Sequence, residues 1–237
     1  MMLQAYLDES VMGDNKNARV FTVAACLAPD VQWRKFNKSW RTVLKEQNLE
    51  YFHMTDYESR QGPYKKWSQN RRVAVLKSLH KIMRERISVF ISVSFCLSDY
   101  ESLQSDTLVG PYAFALHGCF LQINKWRQST GATAPIEFIF ETGSGHGNDI
   151  RCVCERIGAS VAFADKSRYP LHAADILAFE SNKETENYKI REGNPGKPFR
   201  LSASHLIKGR TEYCVHMPKR NLEKAVLNFM TWLHEDS

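Results

Sequence analysis

The stretch LQAYLDES, residues 3–10, places two carboxylates at the end of an apolar, β-prone run. Strand alternation puts Asp8 on the face opposite Leu7, and Glu9 then points away from Asp8 unless the strand bends there. Burying an unpaired carboxylate against a core is costly, so an acid in this position needs a neutralising partner. Asp8 closes the strand predicted at residues 2–8, and the structural alternative is that it is a turn acid that caps the following loop.

On the C-terminal side of this stretch, the periodicity of apolar residues predicts the other strands and helices. A second β-prone run at residues 19–28 follows a polar turn at 12–17, which predicts an antiparallel pair of strands. Apolar spacing predicts helices at 31–45, 69–86, 111–127, 149–157 and from Pro170 to about 189, and strands at 87–97, 135–141 and 160–164. Two paired strands followed by alternating helices and strands predict an α/β fold, a mixed sheet with helices on both faces.

The chain of 237 residues is long enough for one large domain with a proper core. We assign the main domain to residues 1–190. Residues 191–237 are predicted to pack on it as an irregular insertion at 192–199, a short hairpin at 201–216 and an amphipathic helix from Asn221.

Bulk composition limits the classes of partner. The formal net charge of +6 makes a polyanion such as nucleic acid a plausible partner.

The six cysteines form no C-x-x-C pair and are expected to be reduced core thiols, not a zinc site or a disulfide framework. With no signal-peptide pattern and no membrane-length apolar run, we expect a cytoplasmic protein without a membrane partner. The oligomeric state is not predicted.

Two later acids occupy settings similar to that of Asp8. Glu141 ends the strand predicted at 135–141, and Asp175 interrupts an otherwise apolar helix. His172 lies one turn before Asp175 on the same helical face, whereas Glu180 lies well round the helix. Clustered carboxylates are the oxygen ligands that Mg²⁺ or Mn²⁺ requires, and two such ions can activate water and stabilise a leaving oxygen in phosphodiester cleavage.

Four segments of the chain resemble a known family. They are YLDES (6–10), FHMTD (52–56), FIFETG (138–143) and PLHAADILA (170–178), and they resemble the family called domain of unknown function 3800, which is similar to ribonuclease H-like proteins. The resemblance spans residues 6 to 178. It implies an RNase H-like fold, with Asp8, Glu141 and Asp175 as metal ligands and His53 and Asp56 as further site residues.

The chain departs from the family pattern at two positions. Val11 stands where the family commonly has glycine, and His172 stands where it usually has glutamine. Neither departure removes an acid. The family provides no general activity to carry over, so the resemblance implies the fold more strongly than the reaction.

Several basic and histidine side chains are candidates for supporting roles. His53 could move a proton or contact the scissile phosphate, although a structural histidine paired with Asp56 is the commoner case. Lys166 follows the strand at 160–164 and could contact a phosphate, or could be a solvated loop lysine. A stripe on the helix at 69–86 could follow a phosphate backbone, or could be a solvated face; it consists of Lys77, Lys81 and Arg84.

These observations favour a metal-dependent nuclease that cleaves phosphodiester bonds in DNA or RNA. Its catalytic residues would be Asp8, Glu141, Asp175 and His53, with secondary candidates Glu9, Asp56, His172, Lys166 and Glu180. One alternative is a non-catalytic module that binds nucleic acid or protein within a mobile-element or phage-defence system. Another alternative is a phosphoesterase that acts on small nucleotides.

Overall fold

The computed structural model describes residues 2–12, 19–103, 110–193 and 200–234. Most of the turn predicted at 12–17 and of the insertion predicted at 192–199 lies outside the described residues.

Six strands within the described residues form one mixed sheet. They are β1 (Leu3–Met12), β2 (Val20–Pro29), β3 (Val89–Cys96), β4 (Ile136–Glu141), β5 (Ser160–Ala164) and β6 (Glu212–Met217). Their order across the sheet is β5-β4-β1-β2-β3-β6. Strand β2 pairs antiparallel with β1 and β3, while β1 with β4, β4 with β5, and β3 with β6 pair in parallel. The order β5-β4-β1-β2-β3 with an antiparallel β2 is the RNase H-like arrangement, so the predicted fold class is confirmed.

Helices cover both faces of this sheet. They are α1 (Asp30–Glu46), α2 (Met54–Ser59), α3 (Gln69–Arg86), α4 (Leu97–Glu101), α5 (Pro111–Thr130), α6 (Gly147–Arg156), α7 (Tyr169–Gly193), α8 (Leu201–Ile207) and α9 (Lys219–His234). Alternation along the strands gives two cores: Leu7 packs with residues of α5, α6 and α9, and Tyr6 packs with residues of α1, α3 and α7.

The prediction of a hairpin at 201–216 is wrong. Residues 201–207 form α8 and residues 212–217 form β6, which pairs in parallel with β3. Gly209 has a φ of +68° in the turn between these two elements, a conformation that glycine adopts without strain. A parallel partner distant in sequence leaves no local signal in residues 201–216.

The first strand is longer than predicted, since β1 continues past Asp8 to Met12 and remains paired with β2. Asp8 is therefore not a turn residue that closes a strand, and the turn-capping alternative does not hold. In the described part of the chain, no helix combines the length and apolar character needed to cross a membrane.

Candidate active site

Two of the predicted acids follow the point where β1 and β4 stop pairing. The last parallel pair of these strands is Leu7 with Phe140, and Asp8 and Glu141 occupy the next position on each strand. Leu7 and Phe140 belong to the core under α5, so alternation turns Asp8 and Glu141 to the opposite face, where α7 packs.

The third acid comes from α7, which packs across β1 and β2. The small residues Ala173, Ala174 and Ala178 are fully buried and allow this helix to lie close to the sheet. Asp175 Oδ2 accepts a 2.7 Å hydrogen bond from the backbone N–H of Met54, at the start of α2. Asp175 is thereby fixed between the sheet and α2.

The three acids line one open cleft of about 670 Å³. Glu9, His53 and Lys166, which were also predicted as site residues, line the same cleft. Other residues lining the cleft were not predicted from the sequence: Ser10, Val11, Thr55, Glu58, Ser59, Ser144, Phe179 and Lys183. Thr55, Glu58 and Ser59 come from the single short helix α2, whose position over α7 leaves no pattern in the sequence.

Burial and mutual repulsion disfavour the charged forms of the acids. Burial raises the pKa of Asp8 well above its usual range, and Asp175 and Glu9 raise it further. Burial also raises the pKa of Glu9 to about 7, with a contribution from Glu141. The pKa of Asp175 is raised by burial even though His53 and the Met54 N–H oppose that shift. The negative charges of these acids are therefore not fully compensated by nearby positive groups of the protein.

Lys166 is the cation nearest to Glu141 in the cleft, with Nζ 3.4 Å from Oε1. Burial would lower the pKa of Lys166, but Glu141 and Asp175 outweigh burial and raise it. Lys166 thus remains charged beside the acids.

His53 is held by Asp56, with 3.0 Å between Nδ1 and Oδ2. A carboxylate can only accept a hydrogen bond, so Nδ1 of His53 donates to Asp56. The other ring nitrogen, Nε2, is then available to contact a ligand in the cleft. Asp56 does not line the cleft, and its contact with the site is through His53.

His172 is not one of the residues that line the cleft, but it lines a small neighbouring cavity together with Asp8, Glu141 and Asp175. Its Nδ1 accepts from Trp40 Nε1 at 3.1 Å, and its Nε2 donates to the backbone carbonyl of Lys166 at 2.7 Å. Both ring nitrogens are therefore engaged within the protein, and the hydrogen bond to the Lys166 carbonyl joins His172 to the backbone of a residue that lines the cleft. The predicted assisting role of His172 stays a prediction.

Glu180 also lies outside the cleft. Its Oε2 accepts from Arg200 Nε and from Ser202 Oγ, both at 2.8 Å, and its side chain is buried. It joins α7 to the start of α8, so the structure gives it a structural role.

The predicted basic stripe on α3 does not reach the cleft. Lys77 and Lys81 are exposed and Arg84 is half-buried, and none of the three lines the cleft. Helix α3 packs against α1 and α8, and Lys77 and Arg84 lie close enough to His205 to lower its pKa, together with burial. A contact between the stripe and nucleic acid stays a prediction.

The donor set suits a hard divalent cation. Asp8, Glu141 and Asp175 offer only oxygen ligands, and a bound cation would relieve the repulsion that raises the pKa of Asp8. Over the ranges that the structure describes, no three His, Cys, Asp or Glu side chains are already arranged to hold a metal ion. The oxygen ligands of Asp8, Glu141 and Asp175 therefore fit a hard divalent cation. Their side chains would have to move closer together to coordinate it.

The chain was compared with family models, curated proteins and solved structures. No family model and no curated protein matches the chain. Among solved structures, it is similar to a chain of the PCNA:RNase HII complex from Archaeoglobus fulgidus, with 19% identity and a TM-score of 0.39. The match covers 91% of this chain and 94% of that chain. The fold assignment therefore rests on the strand order, and the candidate site rests on its own geometry.

Proposed function

We propose that this protein is a metal-dependent nuclease of the domain of unknown function 3800 family, cleaving phosphodiester bonds in DNA or RNA. The observation that supports the proposal is the convergence of Asp8, Glu141 and Asp175 in one cleft on one face of an RNase H-like sheet. The pKa values of Asp8 and Asp175 are raised, and carboxylates with perturbed pKa values in a cleft are candidates for a functional site.

In this proposal Asp8, Glu141 and Asp175 hold Mg²⁺ or Mn²⁺. When bound, the metal would polarise a phosphoryl oxygen of the substrate and activate a water molecule for attack. Lys166, beside Glu141, contributes a positive charge to a substrate phosphate. His53, oriented by Asp56, donates or accepts a proton at Nε2.

The test is cleavage of single-stranded DNA, duplex DNA, RNA and DNA–RNA hybrid in the presence of Mg²⁺ or Mn²⁺. We expect Asp175→Asn to reduce cleavage about a hundredfold or more, since it removes a charged ligand from the site. Binding of the same nucleic acids in Ca²⁺ should remain largely intact. Asp30→Asn, at an exposed ion pair with Arg34, is the matched control and should leave cleavage unchanged.

Three outcomes separate the nuclease from its alternatives. A binding module would bind nucleic acid but show no cleavage that Asp175→Asn could abolish. A phosphoesterase for small nucleotides would lose its activity in Asp175→Asn while leaving all four polymers intact. Survival of every polymer with both metals contradicts the nuclease proposal.

A further inference from the structure

Helix α7 forms one wall of the cleft along a single row of side chains. Asp175, Phe179 and Lys183 are spaced four residues apart, and all three line the cleft. At 1.5 Å per residue, Lys183 lies about 12 Å along the helix from Asp175. The cleft therefore extends well beyond the acids.

Two hydrogen bonds fix this end of α7 against β1 and β2. Asn182, next to Lys183, is fully buried and its Nδ2 donates to the backbone carbonyls of Ser10 and Val20, both at 2.9 Å. Ser10 also lines the cleft, two residues beyond Asp8. The position of Lys183 relative to the acids is thus set by packing of the helix on the sheet.

Two lysines line the cleft, one beside the acids and one at this end. Asp8, Glu141 and Asp175 occupy the centre, where Lys166 is already paired with Glu141. At the far end Lys183 keeps its side chain 30% exposed, and its partner Glu186, at 2.8 Å, lies outside the cleft lining. Glu58, on the opposite wall, is paired with Arg200 at 3.0 Å, so its charge is offset.

We infer that Lys183 binds a backbone phosphate distant from the scissile one, so that the substrate is a nucleic-acid strand several nucleotides long and not a mononucleotide or a dinucleotide. The inference rests on the proposed function, because the acids define where the scissile phosphate lies. A stacked strand carries one phosphate per ~3.4 Å, so ~12 Å corresponds to about three phosphates. A stacked strand that reaches Lys183 therefore needs about that many nucleotides on one side of the cut.

The experiment measures binding in Ca²⁺, so that it does not depend on cleavage. The probes are oligothymidylates and oligouridylates of two and eight nucleotides, compared by competition with a labelled octamer. We expect Lys183→Ala to weaken octamer binding about fivefold at low salt and to reduce the slope of log affinity against log salt by about 0.7. The affinity for the dinucleotide should not change, and Lys183→Arg should retain octamer binding.

Two control variants isolate the lysine. Lys224→Ala removes an exposed lysine on α9, which packs on the other face of the sheet, and should have no effect. Because Lys183→Ala leaves Glu186 without its partner, the variant that also carries Glu186→Gln should still bind the octamer weakly.

The inference is overturned if Lys183→Ala weakens both lengths equally, if it leaves octamer binding unchanged, or if the wild-type protein binds neither length. Failure of the proposed function has a different signature. In that case the octamer binds through Lys183 in Ca²⁺, but no polymer is cut in Mg²⁺ or Mn²⁺.

Discussion

His172 connects the core beneath the cleft to Lys166 in the cleft. One neutral tautomer accepts from Trp40 and donates to the Lys166 carbonyl. Burial lowers the pKa of His172 to about 4, which keeps the ring neutral near pH 7. A glutamine could make the same two contacts, because its amide also offers an acceptor and a donor.

We expect His172→Leu to lower the free energy of unfolding by about 2–4 kcal/mol, since it leaves the Trp40 N–H and the Lys166 carbonyl without partners. His172→Gln should cost about 1 kcal/mol or less, because it can restore both hydrogen bonds. Urea denaturation measures both values. Equal losses in the two variants would show that packing volume, and not hydrogen bonding, decides the effect.

The raised pKa values of the acids predict that metal-free stability falls with rising pH. Between pH 6.5 and 8, Glu9 in the unfolded chain is deprotonated, whereas folded Glu9 with a pKa of about 7 still holds part of its proton. At Glu9 the folded state binds more protons in this range, so the contribution of this residue to the free energy of unfolding decreases as pH rises. Asp8 adds to the effect in the same direction.

Asp8 and Glu9 together are expected to lower the free energy of unfolding by about 1–3 kcal/mol between pH 6.5 and 8, measured by urea denaturation in EDTA. Buried His80, His117 and His172 act in the opposite direction over the same range, because unfolded histidines with a pKa of about 6.5 lose their remaining protons there. The contribution of Glu9 is therefore read from the difference between the wild type and Glu9→Gln. Glu9→Gln should reduce the decrease in the free energy of unfolding with pH, whereas Glu223→Gln, at an exposed position on α9, should not. An unchanged slope in Glu9→Gln would contradict this assignment.

At the scale of elements, α7 organises both the cleft and the first hairpin. It carries Asp175 and Lys183 on the cleft side, and Asn182 bridges β1 and β2 by donating to Ser10 and Val20. The helix thereby fixes the two strands at the point where residues 13–18 connect them.

We predict that Asn182→Leu lowers the free energy of unfolding by about 2–4 kcal/mol, because two buried carbonyls lose their donor. Asn182→Asp has nearly the same shape, but as a carboxylate it cannot donate, so it should be at least as destabilising at pH 8. Protonation at low pH would restore a donor and reduce that loss. Thermal denaturation of both variants at pH 5 and pH 8 checks the prediction, and a pH-independent loss in Asn182→Asp would contradict it.

The elements with a strong local pattern could be predicted from the sequence. Strand β5 and helix α3 have the predicted bounds, and Asp175 was identified because a charge interrupts the apolar face of α7. Residues 201–216 could not be predicted, since β6 is defined by its pairing with β3 and not by its own sequence. Lys183 was missed for a similar reason: its place in the cleft depends on how α7 packs, although its spacing from Asp175 is visible in the sequence.

The whole molecule carries a formal net charge of +6, yet its cleft concentrates acids. The positive surface favours the approach of a polyanion, while the cleft repels it until cations neutralise the carboxylates. Binding of metal and binding of nucleic acid should therefore depend on each other.

We expect Mg²⁺ at ten times its dissociation constant to stabilise the protein by about 1.4 kcal/mol. For a chain of this size, this corresponds to a rise in Tm of about 3–6 °C. Asp8→Asn should raise the Tm of the metal-free protein, because it removes a buried repulsive charge, and should abolish the Mg²⁺ response. A thermal scan in Mg²⁺, with KCl at equal ionic strength as the control, measures this, and a wild-type Tm indifferent to millimolar Mg²⁺ would count against the metal site.

The parallel pairing of β3 with β6 has a consequence for synthesis of the protein. Phe90 pairs with Glu212, so the ribosome must make a long stretch of chain before β3 gains its second neighbour. At about 5–20 residues per second, this edge stays open for on the order of ten seconds. The segment VFISVSFC is apolar and carries neither charge nor proline to block pairing with another nascent chain. Ribosome-bound chains that stop before Glu212 should therefore aggregate or recruit chaperones more than chains that extend past Met217.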